Sequence, residues 1–97
     1  MGPEKEIELF LDKEVKACGG FTRKLVSPGH KGFPDRVVFV YGQTVFVEVK
    51  AEQGTLSKLQ AREIMRIKQH GRATVVYSKN DVKIFLEALK NNASTRI

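Results

Sequence analysis

The chain has 97 residues, 41% of them apolar and 29% charged, and 17 Lys and Arg against 11 Asp and Glu leave a net charge of +6. This length holds a single domain over residues 1–97. No apolar run approaches the ~18 residues of a membrane helix, and the charged start is no signal peptide. The lone Cys18 excludes an intramolecular disulfide framework and, with Glu6 standing where a myristoylation motif needs Ser or Thr, points to a reducing, cytoplasmic setting.

Glu4 to Ala17 reads as an amphipathic helix, with Ile7, Leu11, Val15 and Cys18 at helical spacing. Glu4 extends that stripe at its N-terminal end. The helix dipole alone favours an acid there; a carboxylate leaning over a metal site is the alternative, and Glu8, one turn on, competes for that role. Gly19-Gly20 ends the helix. Phe21 to Val26 is expected as a strand, entering the loop Ser27 to Pro34, whose two glycines and two prolines forbid regular structure. Lys31 in this loop is placed to meet a phosphate backbone. His30 could act as a general base, but a solvated loop histidine is the preferred reading.

Pro34 presets the approach to Asp35, and Val37–Tyr41 and Thr44–Lys50 form a hairpin across Gly42-Gln43. Alternation turns Glu48 and Lys50 to one face and Val45, Val47 and Val49 to the other. Folding the hairpin carries Asp35 towards Glu48 and Lys50. Two carboxylates and one ammonium suit Mg²⁺, which commonly uses only one or two carboxylates; a plain solvated strand edge is the competing explanation.

Ser57-x-x-Gln60 is a capping box opening a helix from Lys58 to about Gln69. Gln60 also extends the stripe of Ile64 and Ile67. Ala73–Tyr77 is a short strand, and Val82, Phe85, Leu86 and Leu89 mark a last helix. Residues 91–97 lack periodicity and are expected to fray, leaving a core over 4–90. The fold class is therefore α/β, in the order α-β-β-β-α-β-α: a mixed sheet flanked by helices, with a parallel crossover after the third strand. The basic excess lies in the second half, with 9 Lys and Arg against 4 acids over residues 51–97, which suits a polyanionic partner.

Pro34-Asp35 with Glu48-Val49-Lys50 resembles the PD-(D/E)XK nuclease signature. Together with Glu4, Ile7 and Glu8, the run Gly32 to Arg36, the run Phe46 to Ala51, Leu56-Ser57 and Gln60, the chain resembles the minimal stand-alone form of the virus-type replication-repair nuclease (VRR-NUC) family. The resemblance covers Glu4 to about Leu89. It implies a restriction-endonuclease-like fold and Mg²⁺- or Mn²⁺-dependent phosphodiester hydrolysis. Asp35, Glu48 and the Val49 backbone carbonyl would be metal ligands, Lys50 would orient water or stabilise phosphate charge, Glu4 would act through metal-bound water, and Gln60 would position water or metal. It further implies a homodimer cutting branched DNA such as four-way (Holliday) junctions. Lys31, Arg36, Lys58 and Arg62 are the candidate DNA contacts. A non-catalytic basic DNA-binding module and a restriction-type endonuclease are the rival readings.

Overall fold

Residues 1–94 are described by the structure, a computed structural model. The elements are α1 (Pro3–Ala17), β1 (Phe21–Lys24), β2 (Arg36–Val40), β3 (Gln43–Val49), α2 (Lys58–His70), β4 (Ala73–Val76) and α3 (Lys79–Ser94). The sheet order is β1-β2-β3-β4: an antiparallel meander, then β4 parallel to β3 after the crossover through α2. This is the mixed, helix-flanked sheet that the periodicities predict.

Alternation in β3 decides the layers. Val45, Val47 and Val49 join Val38, Val40 and Val76 in one apolar face, covered by Ile7, Leu11 and Val15 of α1 and by Val82, Leu86 and Leu89 of α3. Burying each such side chain contributes roughly 1.5–3 kcal/mol. The opposite face, carrying Phe46 and Glu48, receives α2, whose buried residue is Ile64.

Several boundaries differ from expectation. The hairpin turns on Tyr41-Gly42, not Gly42-Gln43: both residues have positive φ (53° and 71°), as a two-residue type I′ connection requires, and Gln43 pairs with Val40. Buried Gln43 donates from Nε2 to the Leu89 carbonyl (2.7 Å), while its Oε1 accepts from Asn92 (2.6 Å) and from Arg72. That anchor helps explain why α3 continues through 91–94 instead of fraying; residues 95–97 of the expected tail lie outside the described residues. β1 stops at Lys24, with one further bond from Leu25 N–H to the Asp35 carbonyl (2.7 Å). Finally, α3 begins at Lys79 because Ser78 and Asp81 act as caps: Ser78 Oγ accepts from Asp81 N–H (3.0 Å) and Asp81 Oδ2 from Tyr77 N–H (2.8 Å).

Candidate active site

The loop before β2 is pressed against the start of α2. Gly32 has φ +90°, and a Cβ there would lie 2.6–2.8 Å from backbone atoms of Leu59 and Gln60. Only a residue without a side chain permits that approach and that φ. Pro34 is fully buried, and the bond from Leu25 ties down the Asp35 carbonyl. Asp35 is thereby held immediately ahead of β2, on the side of the sheet that α2 covers.

Glu48, next to last in β3, is no solvated strand end: it is 6% exposed. Gln60 Nε2 donates to its Oε2 at 3.4 Å. The same amide closes the α2 capping box, with Oε1 accepting from Ser57 N–H (2.9 Å) and Gln60 N–H donating to Ser57 Oγ (3.1 Å). Because the cap consumes the amide oxygen, the NH₂ group is the end that faces Glu48.

Burial pushes the Glu48 carboxyl from 4.5 up to about 7; Asp35 adds to the rise, Lys50 opposes it, and Glu4 and Glu8 add smaller repulsions. Asp35, Lys50 and Glu4 are thus all within electrostatic reach of Glu48. Lys50 is held by its backbone N–H, which donates to the Val76 carbonyl (3.0 Å). Glu4 is exposed at the lip. Glu8 faces Arg36 (3.6 Å) and Lys5 (3.5 Å), so its charge is already engaged.

Arg36 does not present its charge to a DNA surface. It is 7% exposed and pairs with Glu8 and Asp12 (3.5 Å), clamping β2 to α1. The alternation that sends Asp35 to one face sends Arg36 to the other. Lys31, Lys58, Arg62 and His30 are exposed. Arg66, also exposed, joins them: Lys58, Arg62 and Arg66 recur every four residues, the spacing of one helical face.

No protein-family model matches the chain. A phage protein named "Putative nuclease p44", from Acyrthosiphon pisum secondary endosymbiont phage 1, is 38% identical over 87 residues, covering 89% of this chain and 94% of that protein. A solved structure described as a VRR_NUC domain superposes with a TM-score of 0.82 at 32% identity, covering 90% of this chain and 97% of the other. The chain belongs to the VRR-NUC family.

Among the described residues no three Asp, Glu, His or Cys side chains close on one point, so this VRR-NUC domain has no preformed all-protein cage. Its donor set still fits a hard divalent cation. Glu48 is desolvated and repelled by Asp35, with the Lys50 ammonium opposing; a cation held through the two carboxylates and water would relieve that negative charge.

Proposed function

We propose that this VRR-NUC domain is a Mg²⁺- or Mn²⁺-dependent endodeoxyribonuclease that hydrolyses phosphodiester bonds in branched DNA such as four-way junctions, acting as a homodimer. The observation that carries it is the buried Glu48 carboxylate, sharing its surroundings with Asp35 and Lys50 and accepting a bond from Gln60. Membership of the VRR-NUC family and the likeness to a phage protein that carries a nuclease name support the same reading.

Asp35, Glu48 and the Val49 carbonyl would hold the metal. When bound, the ion offsets phosphate charge and lowers the pKa of water. The chain's own groups do the rest. Lys50 supplies a positive charge beside the scissile phosphate, acting as an electrostatic clamp as negative charge builds. Gln60 holds the Glu48 carboxylate through Nε2 and keeps it oriented towards Asp35's side of the sheet. Glu4, free at the lip, reaches the site through water, whereas Glu8 is occupied by Arg36.

Labelled duplex, flap, single-stranded and four-way-junction DNA incubated with Mg²⁺ or Mn²⁺ tests the reading. Asp35→Ala and Glu48→Ala are each expected to lower cleavage by roughly 10³-fold, the loss of several kcal/mol of charge stabilisation. Glu4→Gln should be milder. Near-normal turnover in either alanine variant removes the site, and DNA binding without hydrolysis under any metal leaves a binding module.

A further inference from the structure

Two hollows adjoin this site along α2. One, of about 440 Å³, is bordered by Lys31 of the loop and by Arg62 and Arg66 of the helix. The other, of about 660 Å³, has the partly exposed rings of Phe33 and Phe46 in its wall, set edge to face at 5.5 Å and 77°. Both include His30, Glu63 and Arg66, so they make one continuous trough between the 27–33 loop and α2.

The trough begins at Leu59, beside Gln60, and ends at Gly71. At 1.5 Å per helical residue that is roughly 18 Å. Three cations face a single carboxylate, Glu63, in its first part, and aromatic rings follow in its second. A cationic groove leading to ring faces is the arrangement that holds single-stranded nucleic acid: phosphates follow the charge and bases meet the rings. A duplex cannot use those rings, because its base faces are already covered by their stacked neighbours.

We infer that this trough binds an unpaired stretch of the substrate strand, with phosphates on Lys31, Arg62 and Arg66 and a base against Phe33 and Phe46. The inference rests on the nuclease reading for its ligand and deepens it. A flap, or a junction opened at its branch point, offers nucleotides outside the stack, and the trough opens one residue from Gln60. Selection of branched over linear DNA then has a physical source within a single protomer.

The test uses metal-free binding, so a failed cleavage assay leaves it intact. Fluorescence anisotropy in EDTA compares blunt duplex with the same duplex bearing a short single-stranded flap. The flapped DNA should bind about five- to tenfold tighter, the scale of one stacked base. Phe46→Leu should abolish that preference without altering duplex affinity, and Arg66→Ala should weaken flapped more than blunt DNA. Absence of any preference, or equal loss on both ligands, overturns the assignment. Circular dichroism checks that Phe46→Leu folds; if it does not, the exposed Arg66→Ala decides the question alone.

Discussion

Glu48 is the residue on which opposing demands meet. Burial and three acidic neighbours favour its protonated form, while Lys50 and the Gln60 Nε2 donor favour the charged form. Its folded value of about 7 stands above the ordinary 4.5, so between those pH values the folded chain binds more protons than the unfolded one. This group's contribution to stability is therefore complete below pH 4.5 and is lost as pH rises through 7. A divalent ion selects the carboxylate form. Mg²⁺ uptake at pH 7 should release about half a proton per site, falling to none well above that pH. Calorimetry in buffers of different ionisation heat measures it, and a buffer-independent heat at pH 7 contradicts it. Lys50→Ala should slow cleavage by about 10²- to 10³-fold while keeping Mg²⁺ affinity, since an ammonium is no ligand. Lost affinity with normal turnover at saturating metal would reverse the assigned role.

At the scale of elements, the start of α2 is where capping and chemistry share one side chain. Gln60 was legible as a cap, and the structure has it closing the capping box and also donating to Glu48. Ser57→Ala and Gln60→Ala should each cost about 1 kcal/mol of helix capping in urea unfolding. Only Gln60→Ala should also lower kcat, because the Ser57 N–H still orients the amide when Oγ is gone. Equal loss of kcat in both variants would reduce Gln60 to a cap. The turn between β2 and β3 was harder to read. Glycine marked the place, but nothing local distinguished Tyr41-Gly42 from Gly42-Gln43; the partners of Gln43 in α3 and at Arg72 did so.

For the whole molecule, one domain of this size presents one site to one phosphodiester. Resolving a four-way junction needs two cuts related by symmetry, which a two-fold pair supplies, and such pairs are the commonest closed assemblies. A dimer is expected by light scattering at working concentration, with paired nicks on a junction whose two strands carry different labels. A monomer on DNA that digests linear ends as readily as junctions would end the dimer proposal and leave the metal-nuclease reading standing.

The sequence by itself determined the element order, the two faces of β3 and the company of Asp35, Glu48 and Lys50, because periodicity, caps and turn residues act over a few neighbours; Gln60 was joined to them only by the family resemblance. Tertiary structure decided how deeply Glu48 is buried, that Arg36 engages Glu8 and Asp12, and that Glu4 stays exposed. It also decided that α3 runs on past residue 91 and that a trough opens beside α2. Desolvation and long-range pairing depend on which chain segments meet. A residue such as Arg36 carries the same charge in either setting, and only its neighbours determine whether it faces DNA or a helix.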